Sequence, residues 1–125
     1  MPAYDRHYDP PAPVAEVTVG HPVTEMMSGP APGKLDTGAG LTVIPQRMNA
    51  ALELSPHREV WARSYDGSYS LRPVYFVRFV LEGYELAAVQ CLAAERETVL
   101  VGRNVLNRFV ITLDGRHLRF TLRPA

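Results

Sequence analysis

From Val14 onward, apolar and polar residues alternate in short runs with the period of half-buried β-strands. Val17 and Val19 alternate with Glu16 and Thr18, and a Gly20-His21-Pro22 break precedes a second run around Val23 to Met27. Ser28-Gly29-Pro30-Ala31-Pro32-Gly33 predicts a loop. Leu35-Asp36 and Leu41 to Ile44 predict strand pieces on either side of a tight Thr37-Gly38-Ala39-Gly40 turn. The period then changes. Across Gln46 to Leu54, Met48, Ala51 and Leu52 fall on one helical face, Pro45 suits the start, and Ser55-Pro56 ends the helix. Val60 to Ala62 and Tyr69 to Leu71 predict a hairpin across a two-residue Asp66-Gly67 turn. Val74 to Leu81 and Tyr84 to Leu92 pair around Glu82-Gly83, and Val99 to Val101 is a short apolar strand. Asn104 is positioned to cap a short helix running to Phe109. Ile111, Leu113, Leu118, Phe120 and Leu122 belong to a last hairpin across Asp114-Gly115.

Many short strands and little helix predict an all-β domain, either a closed barrel or two packed sheets. It spans residues 14–125. Prolines at positions 2, 10, 11 and 13 make residues 1–13 a flexible, extended Pro-rich arm.

Composition narrows the field of functions. Hydrophobic residues make up 46% of the 125 residues and charged residues 21%, an ordinary balance for a globular domain. The net charge is zero and the basic residues are scattered, which argues against nucleic acid or an anionic membrane as partner. No apolar stretch approaches the ~20 residues that span a bilayer, and the N-terminal residues lack the pattern of a secretory signal. Cys91 is the one cysteine, and its apolar flanks predict a buried structural thiol. His7, His21, His57 and His117 lack metal-ligand spacing. The expectation is a cytoplasmic protein without metal or cofactor.

Asp36-Thr37-Gly38-Ala39 is the informative motif. An aspartate ending an apolar strand and followed by Thr-Gly is either a simple Asx-type turn or a carboxylate presented for chemistry. Asp66-Gly67 and Asp114-Gly115 lie between alternating strands and read as hairpin tips.

The company of the motif decides between those readings. Leu35 to Pro45 resembles the active-site loop and following strand of retroviral-type (retropepsin-like) aspartic peptidases. Farther along, Leu100-Val101-Gly102-Arg103-Asn104-Val105-Leu106 resembles their second signature, an apolar strand end leading through Gly-Arg-Asn into a short helix. Between the two lies a hairpin where that family carries its flap, and the resemblance spans Val14 to Phe120. It implies a barrel of short strands with one or two short helices and a flap. The implied enzyme is an aspartic endopeptidase acting on extended polypeptide. Two carboxylates share one proton, because like charges ~3 Å apart cannot both ionise. One takes a proton from a bridging water while the other polarises the scissile carbonyl. The chain has a single Asp-Thr-Gly, so the resemblance implies a homodimer in which each chain supplies Asp36.

The resemblance assigns the remaining roles residue by residue. Thr37 bonds across the dimer axis, while Gly38 and Ala39 support the loop beside the substrate. Arg63 to Ser70 form the flap, with Tyr65, Asp66, Gly67 and Ser68 at its tip. Leu100 lines a side-chain pocket, whose alternative reading is plain core. Gly102, Arg103 and Asn104 are structural. Three departures stand out. Gly40 replaces an acidic residue, so Arg103 loses its presumed partner. Lys34 occupies a normally apolar position near the substrate, where it either selects acidic side chains and biases the dyad toward its charged form, or reaches into solvent. The hairpin tip lacks the glycine-rich sequence of the viral enzymes. The rival reading is a catalytically weak or inactive domain that serves as a dimerisation or peptide-binding module. A nucleophilic Asp36 in a metal-assisted hydrolase would want a carboxylate cluster that the spacing does not offer.

Overall fold

The computed structural model describes residues 2–64 and 66–125. Along the described chain the elements are β1 (Val14–Gly20), β2 (Met27–Leu35), β3 (Thr42–Pro45), α1 (Gln46–Leu52), β4 (Arg58–Arg63), β5 (Tyr69–Leu81), β6 (Tyr84–Ala94), β7 (Val99–Val101), α2 (Arg103–Leu106), β8 (Phe109–Asp114) and β9 (Arg119–Pro124). The sheet order is β1-β2-β7-β3-β6-β5-β4, and β1 also pairs with β5. That extra pairing closes β1, β2, β7, β3, β6 and β5 into a mixed barrel. β4 stays outside it, as a hairpin with the first half of β5. β8 and β9 form a separate two-stranded sheet. No helix among the described residues is long and apolar enough to cross a membrane.

Alternation fills the barrel. Val17 and Val19, Val77, Phe79 and Leu81, Val99 and Val101 are all fully buried, and Met48 and Leu52 of α1 close one end. Each such side chain contributes roughly 1.5–3 kcal/mol on burial. Cys91 lies in this core, as its flanks predict, and burial pushes its thiol up to about 12.

Four expectations need correction. Residues 28–33 are not a loop but the body of β2, while the run at Val23 lies in the connection and Val23 is 87% exposed. The turn is set upstream by His21, whose Nδ1 accepts the N–H groups of Val23 and Thr24. Arg78 then fixes this turn by donating to the carbonyls of His21 and Thr24. Pro32 is tolerated because its partner Glu16 turns its own N–H and C=O away to Glu82. Pro32 therefore faces a position that asks for no donor.

Second, the Asp66-Gly67 turn is wider than two residues. β4 and β5 separate at Arg63 and Tyr69, because Asp66 spends its carboxylate on the hydroxyl and N–H of Ser68. The Asp114 hairpin widens likewise, with His117 N–H on Asp114 and Leu118 at φ +53°. Only Glu82-Gly83 is the short turn predicted, flanked by the Leu81–Tyr84 pair with both φ values positive.

Third, the N-terminal arm is packed rather than free. Ala3 pairs with Arg119 and Asp5 with Ala12, Phe120 N–H donates to Pro2 O, and the Tyr4 ring rests on Phe120. Residues 3–5 contain no proline and so keep their donors for this edge. Fourth, Asn104 does not cap α2; that position belongs to Gly102.

Candidate active site

β2 runs parallel to β7 with Leu35 opposite Val101, and the pairing continues one step as Asp36 N–H donates to Val101 O at 2.9 Å. The chain then turns sharply. Gly38 N–H donates to Asp36 Oδ1 at 2.8 Å, and Ala39 N–H donates to Asp36 O at 3.3 Å. Asp36 is half-buried, and no described residue bonds its Oδ2. The loop thus holds one carboxylate oxygen and leaves the other for a reactant.

The second motif grips this loop from the other side. Arg103 N–H donates to Ala39 O at 2.8 Å and Asn104 N–H to Gly40 O at 3.2 Å. The opening donors of α2, which a helix cannot satisfy internally, are spent on the Asp36 loop. The Arg103 guanidinium donates to Thr37 O at 2.7 Å. Gly40 therefore does not leave Arg103 unpartnered: a loop carbonyl replaces the missing carboxylate.

Asn104 has a role that its residue type did not reveal. Its Oδ1 accepts Thr42 N–H and the Thr42 hydroxyl, and its Nδ2 donates to Gln90 O at 2.8 Å. Thr42 Oγ1 in turn accepts Gly102 N–H at 3.1 Å. One amide thereby ties β3, β6 and α2 together. Gly102 is required by close approach, since a Cβ there would stand 2.7 Å from the Leu41 carbonyl carbon. Thr42 and Gln90 were missed in the sequence; the spacing of Thr42 from Asp36 carries no signal until β3 and β6 are known to be neighbours.

The other predicted residues divide. Lys34 does not pair with Asp36: its ammonium lies 5.1 Å from the centre of the Tyr8 ring on the N-terminal arm. Tyr65 lies outside the described residues. Asp66, Gly67 and Ser68 form the hairpin tip, with Gly67 at φ +83°. The hydroxyl and N–H of Ser68 hold the Asp66 carboxyl below the usual carboxylate range. Leu100 faces away from the core, unlike Val99 and Val101, and lines a cavity of about 510 Å³ beneath Ala62 and Ser64 of the hairpin. A second groove, about 530 Å³, lies beside the loop and is lined by Pro13, Leu35, Thr37, Leu106, Phe109 and Leu113. Among the described residues no cluster of side chains could hold a metal ion.

Residues 29–108 match the family model described as "gag-polyprotein putative aspartyl protease". No curated protein sequence matches the chain. Among solved structures, the Simian Foamy Virus (mac) protease in solution is similar with a TM-score of 0.57 and 16% identity, over 76% of this chain and 92% of that one. The EIAV protease complexed with the inhibitor HBY-793 is similar with a TM-score of 0.54 and 20% identity, over 77% of this chain and 86% of that one. At these identities the structural likeness speaks for the fold alone.

Proposed function

Since the chain belongs to the gag-polyprotein aspartyl protease family, we propose that it is an aspartic endopeptidase that hydrolyses extended polypeptide as a homodimer. The observation that carries this is the Asp36 loop, gripped on both sides with Oδ2 left open. Two such loops meeting at a twofold axis would bring two carboxylates onto one water. One takes its proton as general base; the other, protonated, polarises the scissile carbonyl, and no covalent intermediate forms. Thr37 is exposed, and in the dimer it would bond its counterpart across the axis. The apolar groove beside it, with Leu113 57% exposed, suits a second copy of the chain. Gly38 admits the substrate backbone, and the β4–β5 hairpin covers it with strand-like hydrogen bonds. Gly102, Arg103 and Asn104 keep the loop in place.

Dilution tests this reading. Specific activity should fall as the protein is diluted through its dimer dissociation constant. Excess Asp36→Asn chains should also poison the wild type by forming heterodimers, while folding and pairing normally on their own. Activity per chain that stays flat where sedimentation shows only monomer would rule out the shared site. Tight peptide binding without turnover by the dimer would leave the peptide-binding module.

A further inference from the structure

The cavity under the hairpin has two chemically distinct parts. Its floor is apolar, and the alternation of three neighbouring strands builds it. Thr42 and Ile44, Cys91, and Val99 and Val101 point into the barrel, so Val43, Leu92 and Leu100 point the opposite way. Val43 is the register partner of both Leu92 and Leu100, which makes the floor continuous. Its rim is cationic: Arg63, Arg72 and Arg96 line the same cavity, and among the described residues no acidic one does. These arginines are scattered in sequence, Arg63 on β4, Arg72 on β5 and Arg96 just beyond the end of β6, and they meet because those strands are adjacent.

Their protein partners are neutral. Arg72 donates to Ala93 O at 2.9 Å, and Arg96 donates to Thr98 O and Thr98 Oγ1. Among the described residues the one arginine–carboxylate pair is Arg78–Glu85, elsewhere on the barrel. Two of the three guanidinium groups are thus positioned by backbone and hydroxyl oxygens and make no ion pair among the described residues, although Arg96 also lines a neighbouring groove with Glu95 and Glu97. An apolar floor ending in such forks matches a side chain with methylenes and a terminal carboxylate, because guanidinium binds carboxylate through paired charge-assisted hydrogen bonds. The cavity is also next to the chemistry, since Leu100 directly precedes Val101, whose carbonyl holds the Asp36 N–H.

Resting on the peptidase reading above, we propose that this cavity is the specificity pocket and that it takes an acidic side chain, glutamate above all, beside the scissile bond. The cation that selects it is the arginine rim, not Lys34, whose ammonium the Tyr8 ring takes up. The attraction works across a partly open site and weakens as salt rises.

Peptides that differ only in Glu, Gln or Leu at each position flanking the cut supply the test. At one position kcat/KM should favour Glu over Gln by about tenfold, the scale of one charge-assisted pair. Arg63→Glu should erase that ratio and favour Lys at the same position, whereas the same reversal at Arg108, outside the cavity, should leave it intact. If Arg63→Glu fails to fold by circular dichroism, Arg72→Lys provides the second variant. It keeps the charge, loses the fork, and should lower the ratio without inverting it. Equal rates for Glu and Gln in an enzyme whose cleavage depends on Asp36 would overturn the proposal. Absence of any Asp36-dependent cleavage would defeat the peptidase reading instead. The pocket is then decided by fluorescence anisotropy of the same peptides on Asp36→Asn protein, where equal affinities for Glu and Gln would overturn it.

Discussion

The corner that holds Asp36 and the tip of the β4–β5 hairpin are held in different ways. At the corner, the local bonds of the turn from Gly38 and Ala39 to Asp36 are reinforced by residues far away in sequence: Val101, Arg103 and Asn104 hold Asp36, Thr37, Ala39, Gly40 and Thr42. At the hairpin tip every bond among the described residues is local, from Ser64 N–H to Ser68 O and from Ser68 to Asp66. The flanking strands carry exposed apolar side chains, Trp61 at 69%, Tyr69 at 62% and Leu71 at 47%. On the proposed function, the group that would position a proton is over-determined by the fold, and the hairpin that would meet a peptide keeps its apolar surface uncovered.

Adding a methyl group to each region should break the symmetry between them most strongly. In Gly102→Ala the new Cβ would meet Leu41 C, Leu41 O and Thr42 N at 2.7, 2.8 and 2.9 Å, all backbone atoms that cannot rotate away. We expect a loss on the order of 3 kcal/mol, the upper range for overpacking, read as a lower urea midpoint and accompanied by loss of activity. Gly67→Ala meets open space apart from the end of the Arg63 side chain, and its cost is the positive φ alone. That cost is about 1 kcal/mol and confined to the tip. Similar midpoints for the two variants would undo the contrast.

Removing side chains probes the same contrast at smaller scale. Asn104→Ala strands Thr42 N–H, the Thr42 hydroxyl and Gln90 O in a part-buried setting, which should lower stability by about 2 kcal/mol. Trp61→Ala removes a side chain that is mostly in water, so stability should stay within ~0.5 kcal/mol while KM for peptide rises. Denaturation curves and peptide kinetics on both variants separate the two effects. A stability loss from Trp61→Ala equal to that from Asn104→Ala would mean that the hairpin belongs to the folded core.

The same division explains what could be read from the sequence. Strands whose inward positions are large announced themselves, as with Val17 and Val19 or Val99 and Val101. β2 did not, because its inward residues are Ala31 and Gly33, too small to register as an apolar period, while prolines occupy the positions between. A Cβ on Gly33 would stand 2.5 Å from a Val17 methyl, so that smallness is itself a packing requirement. The Asp36 motif and the Leu100 to Leu106 motif were legible because each is continuous in sequence. The Asn104 tie to Thr42 and Gln90, the Tyr8 hold on Lys34 and the arginine rim were not. Each is an encounter between segments distant in sequence, visible only once the fold is known.

The smallest expected effect lies at the hairpin tip and depends on pH. Asp66 accepts the Ser68 hydroxyl and then the Ser68 N–H, and both hold its carboxyl below the ordinary value of 3.8. A carboxylate whose folded pKa is depressed contributes stability that is present above its unfolded pKa and is lost as pH falls through the folded value. The tip turn should therefore persist at pH 5 and open only below the usual aspartate range. Because Asp66 is fully exposed and its partners are local, the opening should stay local. The Ser68 amide resonance, followed by NMR from neutral pH downward, should shift with a midpoint below 3.8. Asp66→Ala should abolish that transition and leave the urea midpoint at neutral pH close to wild type, in contrast to Asn104→Ala. A Ser68 transition at or above the ordinary aspartate value would show that the Asp66–Ser68 bonds do not hold the tip in solution. An Asp66→Ala loss as large as that of Asn104→Ala would show instead that the tip is bound into the barrel as firmly as the Asp36 corner is.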